Sequence, residues 1–283
     1  MTDDTDVAEE KTVNPGGIIK QTMDSATALT KAVPIYQDAV QPLAKETGKA
    51  LGTIGKAVNV ALAPISLVVW GYDKMSDFLE TKVSEKLENV PENRICTPPP
   101  NVVGPAVEGL KFTGHDETLK DMFANLIANS LDSKTVLEAH PSFVDIIKNL
   151  SSDEGLILKL FASTQSFPLI DVQLVNIKDH SYQISYRNIS QIGALSGCKH
   201  PQLTSNYLDN LCRLGILEIP SGEKLNDAKL YEALTSEPSI ESIKKKFDGH
   251  EMHRIDLAQK FIETTGIGRQ FINSCVVDKR VKG

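Results

Sequence analysis

Aromatic side chains are scarce in this chain: phenylalanine, tryptophan and tyrosine together make up 6% of 283 residues, with one tryptophan. Alanine, leucine and isoleucine dominate the apolar set instead, which favours helices over an all-β sandwich. Cysteine is sparse too. Cys96, Cys198, Cys212 and Cys275 are scattered without a CxxC pair, as expected of reduced thiols in a cytosolic protein rather than a disulfide framework. An excess of positive charge is missing: the formal net charge is −7, which argues against a general nucleic-acid binder. A secretory leader is not expected, because the N-terminus MTDDTDVAEE is acidic and the first apolar run comes late.

The familiar catalytic signatures are also missing. Gly55-Lys56 has Ala50 where a phosphate loop needs its first glycine and Ala57 where it needs a hydroxyl. There is no GxSxG, and Gly266-Ile267-Gly268 lacks a third glycine and a strand-to-helix context. In HEMH (250–253) the histidines are three apart, whereas a zinc-protease helix places them about four apart around its base. Cys198, His200 and Cys212 fall short of the roughly four ligands of a closed zinc site and read as buried thiols and a neighbour. The acidic pairs Asp116-Glu117 and Asp153-Glu154, and Glu237, sit at helix starts, where negative charge is favoured. No nucleophile has a neighbouring base. The chain is read as a non-enzyme, with no catalytic residue, cofactor or metal assigned.

One stretch stands out against these absences. Ala50 to Tyr72, ALGTIGKAVNVALAPISLVVWGY, carries a single charge, Lys56, in 23 residues. As a helix it would be roughly 34 Å long, enough to cross a bilayer core. Its charge-free part, Ala57 to Tyr72, is shorter than the run of about 18 residues that marks a transmembrane helix. Thr53, Lys56, Asn59, Ala63 and Ser66 lie three or four apart and share one side. Two readings stand: a helix buried by its neighbours, or a segment that enters a membrane or meets a partner when released. Lys56, Val60, Leu67 and Trp70 are its candidate contact residues.

Along the chain, residues 1–14 form an acidic tail expected to be disordered. Residues 15–97 read as an N-terminal helical region containing the apolar segment 50–72. Past Trp70 an amphipathic helix with Leu79, Val83, Lys86 and Leu87 runs to Pro91. Pro98-Pro99-Pro100 marks a seam, favouring polyproline II. Residues 98–163 read as a core of three short helices. Asp116 caps the first, and Ser151 with Glu154 forms a capping box on the third. Asn125, Asn129 and Asp132 share one side of the first helix and read as a solvated or backbone-bonding face rather than a polar site.

Residues 164–283 read as a winged-helix-like α+β module. It has short helices at 189–195 and 201–214, a strand at 216–219, a helical insertion at 222–259 and a returning strand at 260–263. The expected fold class is therefore mainly α. The second of those helices holds Asp209 against Arg213 and is neutral, so the module reads first as a protein contact or scaffold and second as a nucleic-acid reader.

Three stretches carry a family resemblance: VPENRICTPPPNVVGPAVEGL (90–110), DETLKDMFANLIANSLDS (116–133) and HPSFVDIIKNLSSDE (140–154). They resemble the Abi-alpha family, the abortive-infection proteins of bacterial phage defence, and GRQFINSC (268–275) is similar to that family's ending. The resemblance implies a bacterial, intracellular defence protein and carries over no catalytic residue. Combined with the apolar segment, it leads to a cytoplasmic, non-enzymatic protein that reaches the inner membrane peripherally, or a partner. A homo-oligomer is allowed, nucleic acid is disfavoured, and the phage or host trigger is left open. The alternatives are a winged-helix regulator and a scaffold with no membrane step.

Overall fold

Met75, Leu79, Val83 and Leu87 recur every four residues and make one apolar stripe on the first helix, α1 (Tyr72–Leu87), all four out of water. The computed structural model describes residues 72–282. The acidic tail and the apolar run before Tyr72 lie outside them. After α1 a 3-10 turn (Glu92–Arg94) leads to an extended stretch fastened to the end of a later helix, with Cys96 N donating to Leu131 O at 2.9 Å.

Pro100 opens α2 (Pro100–Thr113) at the position where a missing N–H is harmless, so the last proline of the triplet starts a helix. α3 (Glu117–Ser130) is capped by the Asp116 carboxylate, which accepts from Thr118 N and Leu119 N at 2.9 and 3.0 Å. From Met122 to Ser130 every residue of α3 is buried. It is enclosed by α1, α2, α4 (Ser142–Lys148) and α5 (Ser152–Phe161). α5 starts from the capping box of Ser151 and Glu154.

The expectation of a mainly α chain does not hold. A four-stranded antiparallel sheet of order β2-β1-β4-β3 follows α5, making the protein mixed α/β. Its strands are β1 (Ser166–Asn176), β2 (Tyr182–Ile189), β3 (Leu217–Glu218) and β4 (His253–Thr264). β1 pairs with β4 along its whole length, from Ser166 opposite Glu263 to Asn176 opposite His253. β2 slips register twice against β1, and Asn188 takes φ 55°, so the hairpin is bulged and curls. In LIDVQLV (169–175) the apolar pairs Leu169-Ile170 and Leu174-Val175 blur the alternation of Ile170, Val172 and Leu174 against Asp171 and Gln173, and the sheet escapes a periodicity reading. Phe167, Leu169 and Ile262 meet the helices, while Ile170, Val172, Ile255 and Leu257 meet the opposite layer. The stretch expected to be a helical insertion ends in β4 and not in helix.

Between β2 and β3 come α6 (Ile192–Leu195) and α7 (Thr204–Arg213). Between β3 and β4 lie α8 (Lys229–Thr235) and α9 (Pro238–Phe247), which cover the outer sheet face with Tyr231, Leu234 and Ile240. α10 (Gly266–Phe271) then returns the chain to the helices. One apolar cluster runs from Met75 to Val276 and joins the helices to the inner face of the sheet.

Gly109 on α2 is where α3 comes closest: a Cβ there would lie 2.6 Å from Phe123 Cζ, at the tip of a fully buried ring. At Gly104, on the same helix, a Cβ would meet nothing within 4 Å. Gly109→Ala is expected to destabilise by about 1–3 kcal/mol through overpacking. Gly104→Ala is expected to change stability by less than about 1 kcal/mol, because the helix propensity gained is offset by crowding of the new Cβ against Pro105. Urea unfolding of the two variants measures both, and equal effects would refute the packing argument.

Candidate functional site

After α10 the chain passes through a π turn, Ile272–Val276, and ends in a 3-10 turn at Lys279–Lys282. A π turn shifts the helical ladder by one residue and changes which carbonyls need partners. Asn129 Nδ2 donates to Ser274 O at 2.9 Å, and Asn125 Nδ2 donates to Cys275 O at 2.9 Å. Asn129 Nδ2 also reaches Asn125 O at 3.0 Å. Both amides are buried. The face carrying Asn125 and Asn129 is thus backbone-bonding, and its partners lie at the far end of the chain.

One turn further on, Asp132 is 0% exposed. Arg94 grips it through Nε at 3.0 Å and Nη2 at 2.5 Å, Lys279 Nζ lies 2.9 Å from Oδ2, and Lys134 N donates at 3.0 Å. Lys279 Nζ also donates to Asn129 Oδ1 at 3.1 Å and to Thr135 Oγ1 at 2.8 Å. Burial pushes the Asp132 carboxyl up, but Arg94 and Lys279 outweigh it and hold it at about 2. Beside it, Lys86 of α1 is buried at 2% exposure, between Asp121 Oδ1 at 2.8 Å and Asp278 Oδ2 at 3.2 Å. Arg280 above all keeps Asp278 well below the usual carboxylate range.

Two further buried acids join elements. Asp153 of α5 accepts from Lys199 N at 2.8 Å, His200 N at 2.9 Å and the Tyr207 hydroxyl at 3.0 Å. Burial raises its pKa, but these donors pull it below its ordinary value. Asp171 of β1 accepts from Asn188 N at 2.8 Å and from Lys260 Nζ at 2.8 Å. Asn188 Nδ2 donates to Asp209 of α7 at 2.9 Å. α7 therefore spends Tyr207, Asp209 and Asn210 inside the chain, since Asn210 Nδ2 also donates to Glu154 Oε1 at 2.7 Å.

This arrangement joins elements. The donors around Asp132, Asp153 and Asp278 hold these carboxyls below their ordinary range. Burial pushes the Cys96 and Cys198 thiols up and carries Cys212 to about 11, the reverse of an activated nucleophile. His250 Nδ1 accepts from Met252 N and His253 N, so the HEMH stretch folds into a turn. Among the described residues no group of three or more metal-ligating side chains gathers, and no helix is long and apolar enough to cross a membrane. Lys56, Val60, Leu67 and Trp70, the candidates from sequence, lie outside the described residues. Arg94, Lys86, Asp278 and Lys279 escape sequence reasoning because their partners are distant along the chain. The visible signal is the spacing of Asn125, Asn129 and Asp132 on an otherwise apolar helix.

A family model described as abortive infection alpha matches residues 71–275, which include Lys86, Arg94, Asn125, Asn129 and Asp132 and stop short of Asp278 and Lys279. No curated protein matches the chain. A solved structure of an uncharacterized protein from the hydrocarbon-degrading marine bacterium Alcanivorax borkumensis SK2 is 15% identical, covers 49% of this chain and 92% of its own, and superposes with a TM-score of 0.32.

Asp132→Asn removes one partner of a buried cluster and strands Arg94 and Lys279, so a loss of about 3–5 kcal/mol is expected at neutral pH. The folded pKa lies below the unfolded value of 3.8. The stability from Asp132 is thus fully present above that unfolded value and is lost as pH falls through the folded one. Unfolding wild type and variant from pH 7 down to 2 should narrow their gap by about 2 kcal/mol. A gap independent of pH would show that charge is not what Asp132 contributes.

Proposed function

The chain belongs to the abortive infection alpha family, and from that premise we propose that it carries out abortive-infection-type phage defence without catalysis, through its apolar segment. On this reading the 50–72 run is held back at rest. Infection releases it to the inner membrane, or to a partner, from a protein that is otherwise cytoplasmic.

The observation that carries the reading is the contrast between that run and the helix after it. A single charge in 23 residues joins directly to α1, whose apolar stripe and buried Lys86 are fixed to the body. The buried acids support the non-enzymatic part, because each is saturated by donors that join elements. The matched stretch begins at residue 71, so the role of the apolar segment is argued from this chain's own residues and not from the family.

Phage challenge tests the proposal, with plaque number, host survival and dye uptake scored together. Val60→Asp and Leu67→Asp each place a charge costing about 2.5–3.5 kcal/mol at a bilayer-depth position. Each is expected to abolish protection while leaving the protein abundant. Undiminished protection with both substitutions refutes the role of the segment. If protection requires the segment while the protein stays out of the membrane fraction and the membrane potential holds through infection, the target is a partner and not the bilayer.

A further inference from the structure

Asp278 and Lys279 are neighbours in sequence but reach in opposite directions. Asp278 turns to Lys86 on α1, and Lys279 turns to Asp132, Asn129 and Thr135 at the end of α3. Each meets a charge almost wholly sealed from water, Lys86 at 2% exposure and Asp132 at 0%. Arg280 braces Asp278 through Nη2 at 2.9 Å. The tail thus has one foot on the core and the other on α1.

α1 is a peripheral helix. Its main packing partners among the described elements are α3 and this tail. Its apolar contribution is the stripe of Met75, Leu79, Val83 and Leu87 with half-buried Phe78 beside it, Lys120 of α3 lying 5.3 Å from the Phe78 ring centre, and much of its remaining surface is exposed and charged, with Lys74, Asp77 and Glu80 in water. α3, by contrast, is enclosed by four helices and the π turn. If the tail leaves, Lys86 keeps Asp121, itself half-exposed, but loses Asp278. Burial of Lys86 then loses much of its compensation, and the helix carrying it has the most to gain from opening to water.

We propose that the C-terminal tail, residues 277–282, is a latch for α1: drawing Asp278 and Lys279 off their sites lets α1 open as a unit while the core stays folded. The latch deepens the proposed function, on which it rests for its consequence, because α1 begins at the last residue of the apolar run. The interactions that define it belong wholly to described residues.

Hydrogen–deuterium exchange on the full chain tests it. Asp278→Asn is expected to speed exchange of α1 amides at 79–87 about tenfold, with the amides of α5 and β1 unchanged. Lys279→Met removes the other foot and is expected to do the same. Unchanged α1 exchange in both variants, or equal acceleration across the whole protein, overturns the latch. The same variants are then mixed with dye-loaded vesicles of phosphatidylethanolamine and phosphatidylglycerol. Faster α1 exchange without leakage supports the latch and counts against the membrane half of the proposed function. Leakage with α1 exchange unchanged overturns the latch and leaves the membrane reading in place.

Discussion

The constraint on which the rest of the structure depends is the enclosure of α3. With every residue from Met122 to Ser130 out of water, any polar group on that helix must find a partner inside the protein, at a cost of about 1–3 kcal/mol if it does not. The amide nitrogens of Asn125 and Asn129 find theirs 150 and 145 residues away, in the carbonyls of Cys275 and Ser274, while Asn125 Oδ1 is left without one among the described residues. The need is mutual. The π turn at Ile272–Val276 redirects its carbonyls, and the asparagines on α3 take up two of them. The middle of the chain therefore positions its end, and the tail enters the charged cluster at Asp132 with little freedom left.

Local chemistry is the part of the fold that is legible in the sequence. The Asp116 cap and the Ser151–Glu154 box act within three residues, so their effect can be read without knowing the fold. The sheet is less accessible. β1 alternates over five residues, Ile170, Val172 and Leu174 against Asp171 and Gln173, but its apolar ends blur that pattern because the strand packs toward both the helices and α8. β4 alternates as well, Arg254 and Asp256 against Ile255 and Leu257, but only the short turn 248–252 separates it from the helical run of α9, and the two merge in a periodicity reading. The candidate site is half legible. Spacing puts Asn125, Asn129 and Asp132 on one side of a helix but does not say what faces them. Spacing puts Lys86 on the apolar side with Leu79, Val83 and Leu87, but it does not say that Asp121 and Asp278 come from other elements to pair with it.

The buried acids have a common design. Asp132 ties the stretch after α1 to the tail through Arg94 and Lys279. Asp153 ties α5 to the turn at 198–200 and to α7. Asp171 ties β1 to β2 and β4. Each is a joint between segments far apart in sequence, and each is charge-assisted, which makes its geometry specific as well as strong. In a chain of net charge −7, acids placed at joints are stable only where the donors are brought together by the fold itself. Correct assembly and electrostatic balance are then one condition, and a segment that departs takes its share of the balance with it.

On the proposed latch, that coupling gives charge a part that added apolar area could not play. A helix held by apolar contact alone loses affinity roughly in proportion to the area it exposes, at about 25 cal/mol per Å², and so loosens by degrees. A helix held through a buried ion pair behaves differently. The pair contributes little net stability when intact, because desolvation offsets most of the attraction, yet losing one partner leaves the other charge buried and costly. Intermediate positions, with Lys86 still enclosed and only Asp121 left to it, are less favourable than the docked state. The docked and open states are thereby separated by a gap that small fluctuations do not bridge, while an agent that competes for a few tail residues can cross it. Stability and responsiveness, which pull against each other in an apolar interface, are reconciled here by placing two opposite charges side by side at the end of the chain.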